Sequence, residues 1–148
     1  MYIDSQCLLS DAQALTASAY STNTYDSGAA GNEIGAGEPL CAVITVDTAA
    51  DTASGDETYQ FSLVQSANAN LSSHDVLVAT DTSFITRAVL VAGYKLVIPL
   101  PPGMKSKRYL GIRYTLGGTT PSVTVTAEIQ PQKMVQMNNV YPDGFTIS

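Results

Sequence analysis

The stretch Arg-Tyr-Leu-Gly-Ile-Arg-Tyr-Thr-Leu at residues 108–116 alternates between two kinds of side chain. In an extended chain one face carries Leu110, Ile112, Tyr114 and Leu116. The other face mixes polar groups with Gly111, and a glycine there leaves room for a neighbouring side chain or backbone. Pro101-Pro102-Gly103 precedes the stretch and Gly117-Gly118 follows it, so turns bound it on both sides. The pattern predicts a central β-strand.

Other segments show the same alternation and surround this strand along the chain. The clearest lie at residues 39–47, 58–66, 95–100 and 122–130. Shorter ones are predicted at residues 21–26, 74–79, 84–89 and 145–147. Turn signals separate them about every ten residues, and no long amphipathic helix interrupts them. We therefore predict an all-β fold, an antiparallel β-sandwich of the jelly-roll type with extended termini.

The alternation also predicts which residues share the core and which strand lies at an edge. Pro99 removes a backbone donor, which places residues 95–100 at a sheet edge or a bulge. Both faces of residues 39–47 are apolar, which indicates burial on both sides or a subunit contact. The residues expected in one shared core are Ile44, Phe61, Leu110, Ile112, Tyr114, Val125 and Ile129.

The N-terminal 25 residues are polar and weakly patterned, and two structures are compatible with them. Ser10 or Asp11 can cap a helix of one or two turns that includes Ala12, Ala14 and Leu15. Alternatively, residues 1–25 form an extended arm outside the core.

Length and composition limit the class of protein. The chain has 148 residues, which fits one domain over residues 1–148, and its net charge of −6 argues against direct nucleic-acid binding. We find no signal peptide and no apolar run of the roughly 18 residues needed to span a bilayer. These features favour a protein of the reducing cytosol without a membrane partner, in which Cys7 and Cys41 stay unpaired.

Three patterns in the sequence bear on catalysis or metal binding. His74-Asp75 next to one of many serines suggests a triad, but no Gly-x-Ser-x-Gly turn accompanies it. Asp47, Asp51, Asp56 and Glu57 flank one loop without the spacing of a calcium loop. Two cysteines and one histidine are too few for a cysteine–histidine zinc site. We predict no catalytic residue, no metal and no cofactor, and hence a protein that is not an enzyme.

Tyrosine usage points instead to protein contacts. The chain has eight tyrosines and no tryptophan, and several tyrosines lie in polar segments. Tyrosine is enriched at interfaces because it combines an apolar ring with a hydroxyl group, although half-burial against the sandwich explains it equally well. The candidate interface residues are Tyr2, Ile3, Leu8, Leu9, Tyr20, Tyr25, Arg108, Arg113, Tyr141, Phe145 and Ile147.

An ordered set of segments resembles the capsid cement, or decoration, proteins of tailed bacteriophages, of the type first described for a Bordetella phage. The set runs from one terminus to the other, and no single motif in it is diagnostic. It comprises residues 3–6, 9–14, 19–23, 26, 37–40, 43–47, 63–64, 101–102, 108–114 and 144–146.

The resemblance implies a jelly-roll virion protein that binds the outer capsid surface and cements neighbouring major capsid protein subunits. It also implies assembly in the host cytoplasm and self-association, with a homodimer favoured over a homotrimer. Separately, the apolar residues on the polar segments at residues 1–25 and 141–147 predict that one or both termini lie across a neighbouring subunit, with these side chains as anchors. The alternative function is a carbohydrate- or receptor-binding jelly-roll module, which would present aromatic platforms and acidic ligand residues in its loops.

Overall fold

The computed structural model describes residues 7–28, 39–80, 87–101 and 106–131. Within these residues the chain forms β-strands and no helix, which confirms the all-β prediction. The strands are β1 (Leu8–Leu15), β2 (Ala19–Tyr20), β3 (Tyr25–Asp26), β4 (Leu40–Thr48), β5 (Thr58–Ser66), β6 (Asp75–Ala79), β7 (Lys95–Pro99), β8 (Tyr109–Gly117) and β9 (Val123–Pro131).

Two antiparallel sheets pack face to face. Sheet one has the order β1-β9-β4-β7, and sheet two has the order β2-β8-β5-β6, with β3 also paired to β8. If β2 and β3 are counted as one interrupted strand, sheet one contains the first, last, third and sixth strands. Sheet two then contains the second, seventh, fourth and fifth, which is the strand order of a jelly roll.

Strand β8 lies inside sheet two, as predicted. Its full length pairs with β5, and its other edge pairs with β2 and β3. All seven residues predicted for the shared core lie in one buried cluster that joins both sheets. Phe61 and Tyr114 meet there edge to face, with ring centroids 5.8 Å apart. The alternation of apolar residues therefore identified the core correctly.

The N-terminal prediction is wrong for the residues that the structure describes. Residues 8–15 form neither a helix nor a separate arm, but strand β1, which pairs with β9 at the edge of sheet one. Leu9 and Leu15 belong to the core, with 0% and 2% of their surface exposed. Two register shifts interrupt the pairing, and Ala12, which lies within the second of them, has φ of 45°. These irregularities break the two-residue period that would have revealed a strand.

The other predicted strands differ in how far they match. Residues 87–89 form a turn, so the strand predicted at residues 84–89 is wrong there, and residues 84–86 lie outside the described part. Of residues 21–26, only Tyr25 and Asp26 are in a strand. The strand predicted at residues 145–147 lies outside the described residues. Strand β7 is at the edge of sheet one, as Pro99 indicated.

Strand β4 is buried on both faces, as its composition indicated. Ala42 and Ile44 face the core, while Cys41 and Val43 on the opposite face are each only 1% exposed. Cys41 and Cys7 are not joined by a disulfide. Among the described residues, none forms a helix long and apolar enough to cross a membrane.

Candidate functional site

The outer face of sheet two carries a cluster of three side chains, Tyr20, His74 and Arg113, which we call the arginine–tyrosine cluster. Tyr20 of β2 and Arg113 of β8 are direct cross-strand partners. Tyr114 and Ile112 of β8 point into the core, so Arg113 between them points outward. Its guanidinium carbon lies 4.6 Å from the centre of the Tyr20 ring, a cation–π distance.

His74 completes the cluster from the loop before β6. Its Nδ1 lies 2.7 Å from the Tyr20 hydroxyl, and the imidazole tautomer decides which of the two atoms donates the hydrogen bond. The two rings also meet edge to face, with centroids 5.3 Å apart. Tyr20 therefore contacts Arg113 through its ring face and His74 through its hydroxyl and its ring.

A leucine anchors the loop at residues 67–74 on the same face. Leu71 is 0% exposed and lies over Gly111, where an added Cβ would come within 2.5 Å of the Leu71 Cδ1 atom. The prediction that Gly111 leaves room for a neighbouring side chain is thus confirmed. The same Cβ would lie 3.0 Å from the Ser21 Oγ atom, next to Tyr20. Gly111 thereby lets the loop approach β8 closely enough to place His74 against Tyr20.

Side-chain hydrogen bonds give this loop its shape. The Ser66 hydroxyl donates to the Ser72 carbonyl at 2.6 Å and accepts from the Asn68 backbone N–H at 3.0 Å. The Ser72 N–H donates to the Asn70 side-chain oxygen at 3.0 Å. Leu71 and Ser73 have positive φ values of 61° and 54°. Short polar side chains favour such turns because they supply local hydrogen bonds to the backbone.

A second arginine on this face is already paired. Arg108 donates to both carboxylate oxygens of Asp26, through Nε at 2.7 Å and Nη2 at 2.9 Å. It also lies 5.1 Å above the ring of Tyr109. Asp26 and Tyr109 are cross-strand partners, so the pair ties β3 to β8. Both arginines were predicted as interface contacts, but they differ in their partners: Arg108 pairs with a carboxylate, whereas Arg113 stacks on the ring of Tyr20.

The remaining predicted interface residues are dispersed. Leu9 is fully buried in the core and is unsuitable as an exposed anchor, because β1 uses it to close the sandwich. Leu8 is half-buried at the edge of sheet one, and Tyr25 packs against the core from β3. Among the predicted residues that the structure describes, Tyr20 and Arg113 are in contact with each other. Five members lie outside the described residues: Tyr2, Ile3, Tyr141, Phe145 and Ile147.

The acidic loop between β4 and β5 is held by its own backbone. Glu57 has a fully buried side chain that accepts hydrogen bonds from the N–H groups of Ser54 at 2.8 Å and Gly55 at 3.0 Å. Arg87 approaches it, with Nε 3.6 Å from Oε2. Asp56 instead accepts from the N–H and hydroxyl of Thr119, and these hydrogen bonds lower the pKa of Asp56. The carboxylates of Glu57 and Asp56 therefore bind different partners.

Asp47 and Asp75 are likewise engaged elsewhere. Asp47 accepts a hydrogen bond from the Thr126 hydroxyl, and Asp75 forms a salt bridge of 2.7 Å with Lys107. His74 bonds to Tyr20 rather than to Asp75, so the sequence neighbours do not act as a triad pair. Within the described ranges, no group of three or more His, Cys, Asp or Glu residues has the geometry to hold a metal ion.

An open cleft of about 620 Å³ lies beside the acidic loop. Arg87 lines it together with Ala49, Ala50, Thr52, Ala88, Leu90 and Val91. Val89 and Val91 are 39% and 54% exposed next to Leu90, which is buried. The strand predicted at residues 84–89 ended at Val89, so the sequence analysis did not predict the turn or the exposed Val91 beside this cleft.

The outer face of sheet one holds a buried acid that the sequence did not reveal. Glu128 is 2% exposed and accepts a hydrogen bond of 2.5 Å from the Gln130 side chain, yet its Oε2 atom has no hydrogen-bond partner among the residues that the structure describes. Burial raises the pKa of Glu128, against smaller opposing effects of the Gln130 hydrogen bond and Lys95. Glu128 alternates with the core residues Ala127 and Ile129, so its side chain lies on the face of sheet one that is turned away from the core.

Comparison with known proteins identifies the family. The sequence profile named Bbp16 matches residues 9–129 of the chain. The chain belongs to the Bbp16 family. The name denotes a protein of a Bordetella bacteriophage, so the chain is a member of a phage protein family. No curated protein matches the sequence.

The Bbp16 match covers the whole sandwich. It begins at Leu9, the first core residue of β1, and ends at Ile129, the last core residue of β9. The arginine–tyrosine cluster, the acidic loop and the buried Glu128 all lie inside it.

Proposed function

We propose that this Bbp16-family protein is a non-enzymatic structural component of the virion. It binds the outer surface of a phage capsid and cements neighbouring major capsid protein subunits. The added buried area across subunit joints would raise the barrier to shell rupture. The protein would join the head during assembly in the host cytoplasm.

One observation carries this proposal: the match to a Bordetella phage protein family extends over residues 9–129, the complete sandwich. The physical character of the surface supports it. Sheet two presents Tyr20 and Arg113 on its outer face, and these two residue types are enriched at protein interfaces. The charge of −6 disfavours the packaged DNA as a partner.

The protein would act on the shell as a small homo-oligomer. A dimer at two-fold joints is favoured, and a trimer at three-fold joints is the alternative. Closed symmetry repeats one contact over a lattice without forming fibres, and the shell itself offers both kinds of axis.

The test uses phage heads that lack this protein. Purified full-length protein is mixed with these heads, co-sedimented over a range of concentrations, and then imaged by cryo-electron microscopy. The proposal expects saturable binding, density at symmetry-related joints over the whole head, and heads that rupture at a higher temperature. Sedimentation equilibrium of the isolated protein measures its oligomeric state.

Two results would overturn the proposal. Failure of the protein to bind the heads at any concentration would exclude decoration. Localisation to a tail or a single vertex, together with binding to a glycan array, would favour the receptor-binding alternative.

A further inference from the structure

Arg113 stands out among the arginines of the described chain. Arg87 and Arg108 each form a salt bridge with a carboxylate, as does the neighbouring Lys107. Arg113 forms none with any residue in the described ranges, and its single interaction there is with the face of the Tyr20 ring. An arginine side chain carries five N–H donors, and a ring face satisfies none of them by a conventional hydrogen bond.

The surroundings hold this guanidinium in place. Tyr20 stacks on it at 4.6 Å, and the 2.7 Å contact between the Tyr20 hydroxyl and His74 limits movement of the ring. His74 is held in turn by the loop that Leu71 anchors over Gly111. A long side chain normally loses rotamer freedom when it binds, and an arginine that is already ordered loses less.

The charge of the chain makes this site distinctive. The protein is acidic overall, with 13 Asp and Glu residues against seven Lys and Arg. Arg113 thus offers a half-buried, ordered positive group that internal carboxylates leave unneutralised within the described residues. Its planar fork of donors fits a carboxylate with two parallel hydrogen bonds.

We propose that Arg113, presented by Tyr20 and His74, is the docking point for a carboxylate side chain on the shell subunit. This inference rests on the proposed function and names the contact through which it operates. It places the outer face of sheet two, rather than the cleft beside the acidic loop, against the shell. Tyr20 and His74 are positioning residues in this arrangement, and Arg113 makes the contact.

A series of substitutions at one position tests the charge of the partner. Binding of full-length protein to heads that lack it is measured for wild type, Arg113→Lys, Arg113→Gln and Arg113→Glu. A carboxylate opposite Arg113 predicts a graded loss: the affinity falls least for lysine, by about tenfold for glutamine, and by a further factor of about ten for glutamate, because like charges then face each other.

Arg108→Gln is the matched control. It removes the same charge near the start of β8, but from a guanidinium that Asp26 already neutralises. We expect it to change the affinity by less than threefold. Tyr20→Phe removes only the hydroxyl that contacts His74, and we expect a smaller loss than for Arg113→Gln. Thermal unfolding of each variant verifies that the sandwich remains folded.

The outcomes separate this inference from the proposed function. If wild-type protein does not bind heads, the proposed function fails. If wild type binds and Arg113→Gln binds equally well, Arg113 is outside the contact. If glutamine and glutamate weaken binding to the same extent, no carboxylate lies opposite. A change in oligomeric state of Arg113→Gln would assign the site to a second copy of this chain, which also overturns the proposal.

Discussion

Strands β8 and β1 both contribute to the core, but they are built in opposite ways. β8 pairs without interruption along β5, and its core residues recur at every second position. β1 pairs with β9 through two register shifts, and its adjacent residues Leu9 and Ser10 are both buried. A strand that pairs regularly shows a two-residue alternation of core and outward-facing residues in its sequence. Register shifts interrupt this alternation, so a bulged strand such as β1 is not recognisable from it.

One hydrogen bond joins the two kinds of strand. The Ser10 hydroxyl of β1 lies 2.8 Å from the Tyr114 hydroxyl of β8, and both side chains are buried. Burial raises the pKa of Tyr114 far above its usual value, so the ring stays neutral. The bulge in β1 turns a polar residue inward at the point where β8 offers a hydroxyl.

The largest expected effect comes from removing the irregular strand altogether. Deletion of residues 1–15 should abolish cooperative unfolding, because it removes Leu9 and Leu15 from the core and exposes the edge of β9. Urea titration followed by circular dichroism measures this. Deletion of residues 1–6 is the control, since it leaves β1 intact. A cooperative transition in the longer deletion would show that β1 is dispensable and closer to the predicted arm.

The next effect compares the ring and the hydroxyl of the tyrosine that links the two strands. Tyr114→Ala should lower the free energy of unfolding by about 3–5 kcal/mol, as expected for an aromatic residue removed from a packed core. Tyr114→Phe should cost about 1 kcal/mol, because it removes only the hydrogen bond to Ser10. Chemical denaturation gives both values. Equal losses for the two variants would mean that the hydroxyl, not the ring, stabilises the junction.

A smaller effect is expected at Gly111, the position in β8 that has no Cβ atom. Gly111→Ala should destabilise the protein by about 1–3 kcal/mol, because the new methyl group meets Leu71. The double variant with Leu71→Ala should cost less than the sum of the two single changes. Strict additivity of the unfolding free energies would indicate that the two residues do not press on each other.

The smallest effect concerns Glu128, the buried acid on β9, which is the strand that pairs with β1. Because burial raises the pKa of Glu128, the unfolded chain loses this proton at lower pH than the folded protein. The folded state is then favoured by this group near pH 4 and loses that advantage as the pH rises through the folded pKa.

Glu128→Gln keeps the shape and removes the charge, so it should raise the melting temperature at pH 7. The gain should shrink toward pH 4, where glutamate in both states takes up protons. Melting curves at both pH values test this, with Asp11→Asn, an exposed acid on β1, as control. A gain that does not depend on pH would exclude ionisation of Glu128 as its cause.

The candidate surface shows the same division between local and tertiary information. Tyr20 and Arg113 were predicted as contacts from residue type, and they do meet, because β2 pairs with β8 in that register. No sequence pattern near His74 predicted that this residue would contact Tyr20. Its position depends on Leu71 closing over Gly111, a contact between residues 40 positions apart.

By itself, the sequence determined the sandwich, its shared core, the interior position of β8 and the edge position of β7. Each of these follows from the alternation of apolar and polar residues along a strand or from the backbone donor that Pro99 lacks. Both features can be read from residues that are neighbours in the sequence. The tertiary structure alone decided that β1 is a core strand, that Leu9 is unavailable as an anchor, and that Glu128 is buried. It also decided that Arg108 pairs with Asp26, whereas Arg113 has no carboxylate partner within the described part of the chain. These outcomes depend on which residues from distant segments come into contact. The alternation of residues within one segment does not specify such contacts between strands and sheets.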